Sequence, residues 1–219
     1  MASGKQPASG ADDPDMPRAA GRRRSAVETR LVLLNAAREL VSETGFREAQ
    51  MAMIAARAGI AIGTVYRHFP TKTDLMNEVV ATVAQAEIDL VTAIGTADGT
   101  PPQRLKNAIW AFADRALAGR RMAHALVAEP VDADIDVVRL QFRRKLGRVF
   151  ESIIEQGVLN GDFVQQDVRA AAACIAGSIF EALVGPLARE ELVSNEERQS
   201  NVAAIVAFCL RGVSDRRSL

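Results

Sequence analysis

From Ser25 onward the apolar residues recur at intervals of three and four, the spacing of one helix face, and alternating strand-like runs are missing throughout. Val27, Leu31, Leu34 and Val41 mark a first helix that opens on the capping pair Ser25 and Glu28 and stops near Thr44-Gly45. A second ends at Ala58-Gly59, and a short third carries Val65 and Phe69. Thr71 and Asp74 have capping spacing again and launch a long helix to about Ile94. "GTADGTPP" breaks it, and Thr100, Pro101 and Gln103 restart a helix that bears Trp110 and Phe112. A shorter helix over 120–128 ends before Pro130. Ile135, Val138, Phe142, Leu146, Val149 and Ile153 then step along five turns, with Arg139, Arg143, Arg144 and Arg148 assigned to the opposite face. Asp167 opens the very apolar "VRAAAACIAGSIFEALVGPLA", and Ser194 with Glu197 caps a last helix faced by Val202, Ile205, Val206 and Cys209. The expected fold is all-α, with about nine helices.

Charge divides the chain although its formal net is zero. Residues 17–73 hold ten Lys and Arg against four Asp and Glu, whereas 74–219 hold sixteen against twenty. A basic front suits a polyanion. Residues 1–24, poor in apolar side chains and ending in Arg22, Arg23 and Arg24, read as a disordered arm able to reach phosphates or a minor groove; 215–219 read as a disordered tail. Between them lie an expected DNA-binding domain, 25–72, and a ligand-binding and dimerisation domain, 73–214. Cys174 and Cys209 sit in apolar runs, as two buried thiols of a cytoplasmic protein would. No apolar run reaches the ~20 residues of a membrane span, and two scattered Cys with two scattered His build no metal site. No cofactor is expected.

The sequence "IAARAGIAIGTVYRHFPTKTDLM", 54–76, places a second short helix four residues after a glycine-marked corner. Gly59 suits the left-handed conformation that ends a helix, and two short helices about such a turn form a helix-turn-helix. The second helix would expose Ile62, Gly63, Thr64, Tyr66, Arg67 and His68. Small and apolar groups at its start allow close approach to base edges, while Tyr66, Arg67, His68 and Thr71 offer donors to phosphates. Lys72 adds charge beside the positive end of the next helix.

This stretch closely resembles the DNA-binding signature of the tetracycline-repressor (TetR) family of bacterial transcription regulators. Ile54-Ala55, Ala58-Gly59-Ile60, Gly63-Thr64-Val65-Tyr66, His68-Phe69, Lys72 and Leu75 fall in register with it, and "AARELVSETGF" resembles the family's first helix. Two positions depart. Ala61 stands where the family usually has a capping Ser, and Ala49-Gln50 replace Thr/Ser at the second helix start, leaving Gln50 to take over that contact.

The resemblance implies a homodimeric repressor released from a palindromic operator on double-stranded DNA by a small, mainly apolar effector. Candidate pocket residues are Trp110, Phe112, Met122, His124, Phe142, Ile175 and Ile179; plain core packing is the competing reading. The last two helices, through Ala173, Gly177, Phe180, Val206, Cys209 and Leu210, would build the dimer interface, against the alternative that the small residues serve a tight contact inside one chain. An activator of the same fold and a helical scaffold are the other readings. No catalytic constellation or nucleotide fingerprint supports an enzyme.

Overall fold

A computed structural model describes residues 25–188 and 194–214. The expected arm with Arg22, Arg23 and Arg24, and the tail 215–219, lie outside the described residues. Among those described there are nine α-helices and no strand: α1 (Ala26–Thr44), α2 (Met51–Ala58), α3 (Ile62–His68), α4 (Lys72–Gly95), α5 (Pro101–Ala118), α6 (Arg120–Val127), α7 (Ala133–Asn160), α8 (Val168–Ala188) and α9 (Asn195–Arg211). The capping pairs read from the sequence form at Ser25–Glu28, Thr71–Asp74 and Thr100–Gln103, each side chain accepting from the third helical N–H.

Two apolar clusters hold the helices. The front one joins α1, α2 and α3 through Leu33, Leu40, Ile54, Val65 and Phe69, and it takes in Leu75, Met76, Val79 and Val80 of α4. The rear one joins the far half of α4 (Ala84, Ile88, Val91) to α5, α7, α8 and α9. At 1.5 Å per residue, α4 spans about 36 Å, so one rigid element is embedded in both clusters. The boundary expected at residue 72 therefore falls at the start of a shared helix. α6 also straddles: Ala125 is buried in the front cluster, Ala123 and Val127 in the rear.

Glycine sets one rear contact by its lack of a side chain. A Cβ on Gly157 would stand 2.1 Å from the Phe163 ring, which folds back onto α7 and is buried.

Several expected faces are turned. Val27 and Leu31 are exposed at 69% and 55%, because α1 packs instead through Thr29, Leu33, Ala36, Ala37, Leu40 and Val41. Arg139 is buried rather than solvated: its guanidinium donates to the carbonyls of Ala125 and Glu129. Cys174 is exposed, so only Cys209 is a buried thiol. α8 is long and apolar enough to cross a membrane, with a mean hydropathy of 1.7, contrary to the expectation that no run reaches that length. Here one side of it, Ala172, Ile175, Ala176, Ile179, Phe180 and Leu183, faces the core.

Candidate nucleic-acid interface

The corner between α2 and α3 is built as its residues demand. Gly59 takes φ 62° and ψ 37°, the left-handed region where a side chain is strained, and the N–H of Ile60 returns to the carbonyl of Ala55 at 3.0 Å. α3 then docks by its inner side, with Val65 and Phe69 at 0% and 1% exposure. Ala61 occupies the cap position with no side-chain hydrogen bond, so the start of α3 is held by backbone alone.

A residue not singled out from the sequence locks this helix in place. Arg30, on α1, donates from Nη1 to the carbonyl of His68 at 3.0 Å and from Nε to Glu78 of α4 at 2.9 Å. Its Nη2 forms an ion pair with the same carboxylate, and its guanidinium lies 4.2 Å from the centroid of the Phe69 ring. One arginine thus ties α1, the end of α3 and α4 together. The only sequence signal was an arginine on the basic front.

Outward, Ile62, Gly63, Tyr66 and Arg67 are exposed, and Thr64 and His68 half-buried. Tyr66 keeps 49% of its surface in solvent. Arg67 has no hydrogen-bond or ion-pair partner among the described residues. Thr71 is exposed, but its hydroxyl donates to Asp74 at 2.7 Å and accepts from the Asp74 N–H at 3.0 Å, which makes it first a helix cap.

Lys72 and Gln50 meet on one atom. Lys72 Nζ donates to the carbonyl of Arg47 at 2.9 Å, and Gln50 Nε2 donates to the same oxygen at 3.0 Å. Partial burial pushes the Lys72 ammonium below its ordinary value, against the pull of Glu129, Glu48 and Asp132. Lys72 is therefore a brace as well as a surface cation; an ammonium has two further protons to offer.

The turn that carries Arg47 is held from the other side by the rear of the chain. Glu129, just past α6, accepts the N–H of Phe46 at 3.0 Å and of Arg47 at 2.8 Å. A Cβ on Gly45, at φ 86°, would lie 3.0 Å from that carboxylate. The Glu129 carbonyl in turn accepts from Arg139 at 2.8 Å, and Arg121 donates to the carbonyl of Glu43 at 2.7 Å. These contacts form a latch between the helix-turn-helix and α6–α7.

The rear candidates do not gather into one site. Phe112, Phe142 and Phe180 form a three-ring cluster with centroids 5.6 to 6.3 Å apart, and Ile175 and Ile179 are buried beside it. Trp110 is partly buried against the rear core, whereas Met122 packs against the front one. His124 is half-buried. Phe180, Val206 and Cys209 cannot be surface contacts of a dimer, because all three are buried inside the protomer at 4%, 4% and 2% exposure. Burial alone raises the Cys209 thiol to about 11. Leu210 is partly buried against the same core. Ala173 and Gly177 do face outward, and a Cβ on Gly177 would touch nothing within 4 Å. No packing among the described residues requires that glycine. Phe208, exposed at 60%, and Ala204 share the outer surface and were missed.

Residues 33–79 match the model of bacterial regulatory proteins of the tetR family. The HTH-type transcriptional repressor KstR of Mycolicibacterium smegmatis is 38% identical over 79 residues, covering 36% of this chain and 38% of its own. The regulator UidR of Escherichia coli K12 is 44% identical over 55 residues, 25% of this chain and 28% of its own. The chain thus spans well under half of these relatives. In fold it is similar to FadR of Bacillus subtilis, solved with stearoyl-CoA, at a TM-score of 0.72 and 19% identity, over 83% of this chain and 98% of that one. Residues 33–79 are thus similar to the DNA-binding region of the tetR family of bacterial regulatory proteins, and the nine-helix fold is similar to that of solved regulators of the TetR/AcrR family.

Proposed function

We propose that the chain is a homodimeric transcriptional repressor that reads a palindromic operator with α3 and leaves it when a small, largely apolar effector binds the rear bundle. The observation that carries this is α3 itself: seven residues anchored by Val65, Phe69 and the Arg30 clamp, with Ile62, Gly63, Tyr66 and Arg67 left exposed. A short helix held rigidly from behind, with a glycine at its outer start, suits the major groove. Tyr66 and Arg67 take flanking phosphates in this reading, with the spare N–H groups of Lys72 Nζ and Gln50 Nε2 at the edge.

The second copy docks on the outer stripe of α8 and α9, where Ala173, Cys174, Gly177, Ala204 and Phe208 are exposed. Small residues let two helices approach closely, and Phe208 supplies apolar area. The effector reading leans on FadR, whose structure holds stearoyl-CoA, and on the buried aromatic cluster, between whose rings an apolar chain would insert. Release then passes through the Glu129 latch, since a shift of α6 would move the turn at Phe46 and Arg47.

DNase footprinting on the DNA flanking the gene tests the reading. Protection should cover an inverted repeat whose halves lie one helical turn apart, about 34–36 Å. A chain that protects no sequence there is not this repressor.

A further inference from the structure

The outer faces of α7 and α8 line a groove of about 1090 Å³, which borders the stripe proposed for the second copy at Ala173 and Gly177 and carries its arginines on the far side of that border. Its walls carry Arg143, Arg144, Arg148 and Arg169 against two carboxylates, Glu151 and Glu181. That excess stands out in residues 74–219, where acidic residues outnumber basic ones by twenty to sixteen. All the cations in the walls are arginines, whose planar forks match phosphate oxygens two at a time.

Neither Arg144 nor Arg148 has a hydrogen-bond or ion-pair partner among the described residues, and both are exposed. Arg169 reaches Glu151 only at 3.3 Å, with 89% of its side chain in solvent. Between the walls the floor is Gly147, Ala172, Ala173, Ala176 and Gly177, small residues that give the groove its depth. Adding a Cβ at Gly147 or Gly177 would meet nothing within 4 Å. The depth is open space.

We infer that this groove binds the phosphorylated, nucleotide-sized head of the effector. Its volume lies just above the usual range for small-molecule sites, about 300–1,000 Å³, and is too large for one free phosphate. Phe180 forms part of its inner wall and belongs to the aromatic cluster with Phe112 and Phe142, so an apolar chain attached to that head would reach the core by parting these rings. Arg143 guards that way: its guanidinium lies 4.8 Å from the Phe180 ring centroid and donates to the carbonyl of Val127 at 3.3 Å. A phosphate that draws Arg143 outward releases both contacts. Val127 ends α6 two residues before Glu129, and so the head site connects to the latch on the helix-turn-helix. The inference rests on the effector reading proposed above.

Calorimetric titration of the full chain, without DNA, tests it with coenzyme A as the head alone. Uncharged pantetheine and inorganic phosphate are the controls. Coenzyme A should bind, more weakly as salt rises, and at least tenfold more tightly than either control. The double variant Arg144→Gln/Arg148→Gln should lose tenfold or more, and Gly147→Glu, which puts a carboxylate on the floor, should lose a similar factor. Arg38→Gln, an exposed arginine on α1, should change nothing. Binding of coenzyme A that survives both groove variants overturns the site. Pantetheine bound as tightly as coenzyme A, or phosphate alone bound as tightly, overturns the ligand class, and no binding of coenzyme A at millimolar concentration overturns both. Because DNA is absent, a failure here leaves operator binding untouched, and a failure of the footprint leaves this titration readable.

Discussion

Tyr66 and Val65 are neighbours in sequence with opposite environments, one 49% exposed and the other fully buried. That difference separates contact from packing at single residues. Tyr66→Phe removes only a hydroxyl, so melting temperature should stay unchanged while operator affinity drops by about 1–2 kcal/mol, the worth of a hydrogen bond to a charged group. Unchanged affinity in an anisotropy titration would return Tyr66 to a packing role. Arg67 has no partner among the described residues to compensate. Arg67→Gln should lower the slope of log affinity against log salt by about one, equally on operator and random DNA. A loss seen on operator alone would assign Arg67 to base reading instead. Glu129 lies outside the surface offered to DNA, yet its two oxygens each hold a backbone N–H of the α1–α2 turn. Glu129→Ala should destabilise the chain by about 1–3 kcal/mol in urea denaturation, because those two donors lose their charged acceptor. A variant as stable as the parent would show that the latch is incidental.

At the scale of elements, local chemistry was legible and orientation was not. Ser25, Thr71 and Thr100 announced their helices because a cap is a contact three residues long, and Gly59 announced the corner because its φ is positive. The helix-turn-helix and its exposed residues followed from such signals together with the family resemblance. The phase of α1 did not, since Val27 and Leu31 fit a helical period but lie on the side that no other described helix covers. Arg139 looked like one of four solvated arginines, and only the fold brings the carbonyls of Ala125 and Glu129 to it. Phe180, Val206 and Cys209 were apolar in the right helices, but periodicity cannot say whether an apolar side chain meets its own core or a second copy. The Arg30 clamp and the Glu129 latch join residues 48 and more than 80 positions apart, out of reach of any window. Helix α7 and the Phe163 ring that returns onto it offer a test of packing at this scale. Gly157→Ala would force a methyl into the ring, and overpacking of this kind costs about 1–3 kcal/mol. Thermal denaturation should show the loss, and no loss would mean that the ring moves aside freely.

For the whole molecule, the proposed function requires two copies, and Gly177 is where the proposed contact can be broken without harming the protomer. Since nothing lies within 4 Å of a Cβ there, Gly177→Leu should fold normally and sediment as a monomer. A stable Gly177→Leu dimer would move the interface elsewhere. The central claim is that the dimer places two copies of α3 on one face of a duplex. Fluorescence anisotropy of a labelled duplex bearing the inverted repeat beside the gene, titrated with the full chain at several salt concentrations, tests it most directly. Saturation should come at two chains per duplex, with affinity falling steeply as salt rises and exceeding that for a scrambled duplex by at least ~10³-fold. Equal affinity for the repeat and the scrambled duplex, or no binding to either, would contradict it.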